Sequence, residues 1–172
     1  MESVDSDSFR RILEGAGLKA ADPAGNIGRC LSFIRSPART IVVQLGDAAD
    51  RRSRLTSAVL SIADRWLLTP RYGSVAALDL LSDKAASTAA ISFASSERAG
   101  LGSYLCERPM DLWEASADLY FLTPSGDVLV TWDHHTADEC LTVQLCKVDD
   151  SNRLLVALNE IGADLEVSYE SG

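Results

Sequence analysis

The clearest pattern of hydrophobic and polar positions lies in the last third of the chain. Two apolar runs, DLYFLT at 118–123 and DVLVTWD at 127–133, flank the tripeptide Pro-Ser-Gly. Because proline fixes φ and glycine accepts a positive φ, this tripeptide predicts a tight turn, and the two runs predict an antiparallel hairpin. HHTADE at 134–139 is then a second turn. CLTVQLCKV at 140–148 predicts a third strand, because apolar and polar residues alternate along it.

A helix and a last strand follow this meander. The segment 149–162 predicts a helix that Asp149 or Asp150 caps and that Gly162 ends. DLEVSYE at 164–170 alternates between acidic and apolar positions and predicts a strand with one polar face. The apolar stripe of the helix consists of Leu154, Leu155, Leu158 and Ile161.

Two helices are predicted in the first half of the chain. Residues 6–16 form the first, with Ser6 or Asp7 as its cap. The second has Asp47 or Asp50 as its cap, and it ends before a proline. Its residues that recur at helical spacing are Leu55, Val59, Ile62 and Trp66, and the proline is Pro70.

The remaining segments of the first half give weaker signals. RTIVVQL at 39–45 is β-branched and ends at a Gly-Asp pair, so it predicts a strand. AISFAS at 90–95 also indicates a strand, 74–82 indicates a helix, and the short apolar run at 30–34 fits either.

Three arginines begin the second predicted helix, where the helix dipole disfavours cations. Arg51, Arg52 and Arg54 therefore have acidic partners in the fold or on another molecule, or they lie in solvent. Exposed charges at a helix end cost only tenths of a kcal/mol, which favours a solvated helix start.

The order of these elements predicts an α+β fold. Helices come mostly early and strands late, so we expect a mainly antiparallel sheet (a C-terminal β-meander, then a helix, then a strand) with helices packed on one face. A length of 172 residues fits a single domain, 1–172. The outer face of the sheet is a candidate docking surface, or a polar face that discourages unwanted pairing. Its predicted residues are Thr142, Gln144, Glu166 and Ser168.

Composition and charge narrow the classes of function. The chain is 47% hydrophobic and 24% charged, as in ordinary globular proteins, and its net charge is −9. Residues 1–86 carry 12 Lys/Arg against 10 Asp/Glu, whereas residues 87–172 carry 4 against 15. An acidic surface repels nucleic acid and anionic membrane, and it attracts a basic partner. With no apolar run of about 18 residues and a polar start, we expect a cytoplasmic protein.

The four cysteines predict no metal or cofactor site. Cys30, Cys106, Cys140 and Cys146 contain no close pair of the kind that common zinc sites use. Cys140 and Cys146 lie on one predicted strand, too far apart to share a metal ion. Buried free thiols are the expected state.

The only two histidines, His134 and His135, raise the question of catalysis. With Asp133 they resemble the signature of the DHH phosphoesterases, but that family also needs aspartate pairs on parallel strands and a second domain. No serine-nucleophile elbow and no phosphate-binding loop is present. We therefore predict no catalytic site and no metal, and an enzyme that uses either histidine as acid–base stays an alternative.

In profile the chain resembles the immunity proteins of bacterial toxin–immunity pairs, through its acidity, small size and the layout DLYFLT–PSG–DVLVTWD–HHTADE–CLTVQL, helix, DLEVSYE. The resemblance implies binding of a cognate toxin, often a basic nuclease. The acidic second half of the chain would fit a basic cleft of the toxin. Trp132 alternates with Val128 and Val130, so it is also a candidate core residue. A secretion-effector chaperone is the alternative in the binding class. The predicted interface consists of Trp132, Asp133, His134, His135, Asp138, Glu139 and Glu166.

Overall fold

The computed structural model describes residues 2–21, 30–46, 48–70, 88–97, 119–133 and 140–168. The strands in these ranges are β1 (Glu2–Asp5), β2 (Leu18–Ala21), β3 (Cys30–Phe33), β4 (Arg39–Gln44), β5 (Arg65–Pro70), β6 (Thr88–Ala94), β7 (Leu119–Leu122), β8 (Val128–Asp133), β9 (Cys140–Leu145) and β10 (Leu165–Ser168). The helices are α1 (Ser6–Gly15), α2 (Ala49–Leu60) and α3 (Val148–Ile161), with one 3-10 turn at Ser95–Glu97. Within these ranges no helix is both long and apolar enough to cross a membrane.

Within the described residues, eight strands form one sheet in the order β1-β6-β5-β7-β8-β9-β4-β10, and every neighbouring pair is antiparallel. Strands β2 and β3 form a separate two-stranded antiparallel sheet. The predicted α+β class and mainly antiparallel sheet are confirmed. The predicted meander is β7, β8 and β9, and β10 lies beside β4, so that β4 separates it from β9.

The central strands bury side chains on both faces. On one face, α2 and α3 pack over a cluster that includes Trp66, Phe121 and Val143. On the other face, α1 and the β2–β3 sheet cover Leu67 and Tyr120. The helices therefore do not all lie on one face as expected. The reason is that β7 reads LYFL without alternation, and such a strand must be covered from both sides.

The prediction for the second helix is wrong at its C-terminal end. Helix α2 ends at Leu60, and Trp66 lies in β5, where its indole is fully buried and its Nε1 donates to the carbonyl of Leu60 at 2.8 Å. Trp66 fits the helical spacing, but the run WLLT around it is equally typical of a buried strand. The N-cap of α2 is Ala48, without a side-chain bond, and Asp50 lies in the first turn.

The other helix ends agree in part with the sequence. Asp5, not Ser6 or Asp7, caps α1, and its side chain accepts hydrogen bonds from the backbone N–H of Asp7 and Ser8. Lys147 is the N-cap of α3 and leaves both predicted cap aspartates in the first turn, where the dipole favours carboxylates. The predicted end of α3 is confirmed, because Gly162 has a φ of 72°.

Most strand predictions are confirmed: β4, β6, β7, β8, β9 and β10 lie within or close to the predicted segments. The predicted helix at 74–82 and the turn at 134–139 lie outside the described residues. Cys140 is partly buried and Cys146 is exposed, so the expectation of buried thiols is wrong for Cys146. The cause is that β9 ends at Leu145, where the alternation stops.

The β7–β8 turn joins the large sheet to α1. Gly126 has a φ of 74°, and a Cβ added there would lie 2.6 Å from the Cα of Ala16 and even closer to its carbonyl oxygen. The turn is also bonded to β9, since the backbone N–H of Cys146 donates to the carbonyl of Asp127 at 2.9 Å. This glycine therefore allows the C-terminal end of α1 to approach the sheet.

Replacing Gly126 by Ala should destabilise the fold by about 2 kcal/mol or more, because alanine resists a positive φ and its methyl group meets the backbone of Ala16. Gly15→Ala is the matched control: nothing lies within 4 Å of an added Cβ, and the residue is helical. Urea unfolding of both variants checks the difference. Equal midpoints would contradict the close approach.

An ion pair joins the same turn to the start of α3. The Nζ of Lys147 lies 2.8 Å from Oδ2 of Asp127. The hydrogen bond from Lys147 lowers the pKa of Asp127, and the same bond raises the pKa of Lys147. Because a lowered carboxyl pKa favours the folded state only while the carboxyl is ionised, this stabilisation is present above the usual value of 3.8 and disappears as the pH falls through the pKa of folded Asp127.

Asp127→Asn should therefore lower stability at neutral pH and make no difference at a pH below the pKa of folded Asp127. Urea unfolding of the wild type and the variant as a function of pH gives the difference between their free energies of unfolding. Asp64→Asn is the control for the lost charge, because Asp64 is exposed between α2 and β5 and no ion pair of it is found among the described residues. A difference that persists in acid would show that Asp127 acts through packing alone.

Candidate protein-binding surface

Strands β9, β4 and β10 expose a polar face on the side of the sheet away from α2 and α3. We call it the outer face. All its side chains are half-buried apart from Glu166, which is exposed. It consists of Thr40, Val42, Gln44, Cys140, Thr142, Gln144 and Glu166.

The strand register explains why these residues share a face. Thr142 pairs with Val42, and Val42 pairs with Glu166, so the three residues form one row across β9, β4 and β10. Gln144 pairs with Thr40 in the neighbouring row. The structure therefore brings together Thr142, Gln144 and Glu166, as the alternation predicted. The fourth predicted residue, Ser168, pairs with Thr40, and its side chain lies outside the described residues.

The residues that β4 contributes were missed in the sequence. RTIVVQL is β-branched along most of its length, yet Thr40 and Gln44 alternate with Ile41, Val43 and Leu45, which are fully buried. That alternation was the signal for a strand with one polar face. The position of β4 between β9 and β10 carried no signal in the sequence, because it depends on long-range pairing.

Trp132 does not belong to this surface. Its side chain is 4% exposed and lies in the cluster under α2 and α3. Trp132 pairs with Leu141, which pairs with Val43, so it occupies a row of the opposite face from Glu166. Its alternation with Val128 and Val130 directs it inward. The prediction of Trp132 as an interface residue is corrected accordingly.

The other predicted interface residues lie at the end of the β8–β9 hairpin. Asp133 is the last residue of β8 and pairs with Cys140, and its side chain lies outside the described residues. The predicted residues His134, His135, Asp138 and Glu139 also lie outside the described part of the chain. The sheet order puts three strand spacings between β8 and β10, so the backbones of Asp133 and Glu166 are roughly 15 Å apart. A partner interface of ordinary size spans that distance.

Glu166 carries an available negative charge. Its neighbour Asp164 contacts Arg51 of α2, with 3.1 Å between Oδ2 and Nη2. Arg54 contacts Asp50 at 3.4 Å. Two of the arginines at the start of α2 thus have acidic partners in the fold itself, as one sequence interpretation allowed. No ion pair of Glu166 is found within the described residues, so its charge faces solvent.

The outer face offers hydrogen-bonding groups and one carboxylate. Threonine and glutamine offer donors and acceptors, and Glu166 adds a carboxylate. In the ranges that the structure describes, no group of three His, Cys, Asp or Glu side chains could hold a metal ion. Such a face can recognise a polar, positively charged surface.

Substitutions should separate the surface from the core. Trp132→Ala should cost about 3–5 kcal/mol of stability because it leaves a cavity under α2 and α3. Glu166→Lys should change stability by at most about 0.5 kcal/mol, because its side chain is exposed. Urea unfolding monitored by circular dichroism measures both. A large loss for Glu166→Lys would show that this carboxylate holds the fold together.

Comparison with known proteins adds no family to this picture: no family model, no curated protein and no solved structure matches the chain.

Proposed function

We propose that this chain is a protein-binding domain of the immunity type, which binds and neutralises a basic bacterial toxin in the cytoplasm. The observation that carries the proposal is the outer face, a polar sheet surface with Glu166 exposed at its edge. The net charge of −9 supports a basic partner, because complementary charge accelerates association and excludes acidic competitors.

The outer face has the physical properties of a recognition surface. Its strands are held from behind by fully buried residues such as Ile41 and Val143, so the face is rigid. Thr40 and Thr142 are β-branched and lose little rotamer freedom when a partner binds. In the proposed complex, the hairpin end with Asp133, His134, His135, Asp138 and Glu139 extends this surface along the same sheet.

The same face argues against a secretion-effector chaperone. A chaperone of that kind needs an exposed apolar groove for an extended client. The outer face is mostly threonine, glutamine and glutamate. Among the described residues the large exposed apolar side chains are Ile34, Val148 and Val156, and the two valines are eight positions apart on α3. They are too few for a continuous groove.

In a toxin–immunity pair we expect the toxin gene immediately upstream, so co-expression with the product of this neighbouring gene tests the proposal. Cells that express the neighbour alone should die, and cells that also express this chain should survive. Glu166→Lys should weaken binding to that product about tenfold or more, because it places a cation against a basic surface. Isothermal titration calorimetry of the purified pair measures the affinity, which should also fall as salt is raised.

Glu14→Lys is the matched control. It makes the same change of charge at an exposed position of α1, which packs over the other half of the sheet. It should leave affinity nearly unchanged. If the neighbour kills cells equally with and without this chain, the immunity function is wrong. If both variants weaken binding equally, net charge rather than the outer face directs the interaction.

A further inference from the structure

We propose that β10 is a docking edge, to which an extended segment of the partner adds as a ninth strand of the sheet. The segment carries basic and apolar residues in alternation. The proposal rests on the proposed function only for the identity of the partner, a basic protein. Addition of a strand to a sheet edge supplies affinity through backbone hydrogen bonds and specificity through alternate side chains.

The backbone of β10 offers hydrogen bonds on its outer side. Among the described residues β10 has one strand neighbour, β4, and ends the sheet order. The backbone N–H of Gln44 donates to the carbonyl of Asp164 at 3.3 Å. The backbone N–H and C=O groups of successive residues in an antiparallel strand alternate in direction. Those of residues 164 and 166 point towards β4, whereas those of Leu165 and Val167 point away from it. These two residues present the groups that an added strand would bond.

The core is incompletely covered at this edge. Leu165 lies in one row with Val43 and Leu141, which are 0% and 1% exposed, yet Leu165 itself is only partly buried. Val167 is likewise partly buried, although its row neighbour Ile41 is fully buried. An added strand with apolar residues on this side would complete the burial of both rows. This gain follows from removal of apolar area from water.

The charges at the edge select a basic occupant. Glu166 is exposed on the outer face and has no ion pair among the described residues, whereas the nearby carboxylate of Asp164 is paired with Arg51. A lysine or arginine opposite Glu166 in the added strand would form a cross-strand pair of opposite charge, which stabilises a sheet. The same carboxylate of Glu166 opposes a strand with an acidic residue at this position.

A second copy of this chain is a poor occupant of the edge. Antiparallel pairing of two β10 strands centred on Glu166 would place Glu166 opposite Glu166. Pairing centred on Leu165 would place Glu166 of each copy opposite Asp164 of the other. Pairing centred on Val167 would place the two copies of Glu166 at diagonal positions. Like charges at such positions destabilise a sheet. The negative charge therefore disfavours pairing of two copies at this edge and favours pairing with a basic strand.

The other edge of the sheet lacks these features. Strand β1 runs directly into α1, and its last residue, Asp5, is occupied as the cap of that helix. Only Val4 of β1 is partly buried, and Glu2 contacts Arg65 with 3.5 Å between their charged groups. Strand β1 thus offers a single partly buried apolar residue, where β10 offers two.

A peptide titration tests the docking edge without knowledge of the partner. The probe is a short acetylated peptide in which Lys and Val alternate, and its counterpart has Glu in place of Lys. With the ¹⁵N-labelled full chain, the Lys peptide at millimolar concentration should shift the amide signals of Leu165 and Val167. It should slow their hydrogen exchange about tenfold when its concentration is about ten times Kd. The Glu peptide should have neither effect.

Two variants sharpen the test. Val167→Pro removes an outward N–H, and proline is tolerated at such an edge position, so this variant should fold and lose the response to the Lys peptide. Glu166→Lys should lose the response to the Lys peptide and gain one to the Glu peptide. Glu14→Lys should respond as the wild type does.

The outcomes separate this inference from the proposed function. Equal responses to both peptides, responses away from β10, or none at millimolar concentration would overturn the docking edge. If the neighbouring gene product is neutralised equally well by Val167→Pro, the edge is wrong and the immunity function stands. If the Lys peptide binds at β10 but the neighbour is not neutralised, the immunity function is wrong and the edge stands.

Discussion

The fold depends on a difference in covering between the two halves of one sheet. In the central strands β5, β7 and β8, side chains are buried on both faces, because α2 and α3 cover one side and α1 with the β2–β3 sheet covers the other. In β9, β4 and β10, the described side chains are buried on one face of the sheet and half-buried or exposed on the other. The central strands contribute buried side chains to both clusters, and the second half carries a polar face on one side.

That difference links the fold to the proposed function. A sheet that is covered on both sides has no surface left for a partner, whereas β9, β4 and β10 present ordered hydrogen-bonding groups on a rigid frame. The exposed edge of β10 continues this surface into backbone groups. In the proposed complex, the carboxylate of Glu166 would attract a basic protein and would oppose pairing between copies of the chain.

Part of the candidate surface could be predicted from the sequence. Alternation placed Thr142, Gln144 and Glu166 on one polar face, and the register confirms that they share it. An aromatic residue beside charges is typical of a binding surface, which predicts Trp132 at the interface. Side chains alternate between the two faces along β8, however, and Trp132 lies on the face that packs into the core. Trp66 was misplaced because spacing of three and four residues does not distinguish a helix from a helix followed by a buried strand.

The sequence by itself determined which residues share a face within each strand, because side-chain period depends only on local backbone geometry. It also determined the end of α3, since Gly162 accepts a positive φ at low cost. Only the tertiary structure decided that β10 pairs with β4, that α1 covers the opposite face from α2 and α3, and that β10 ends the sheet among the described strands. These features depend on contacts between residues far apart in the chain, which local patterns do not encode.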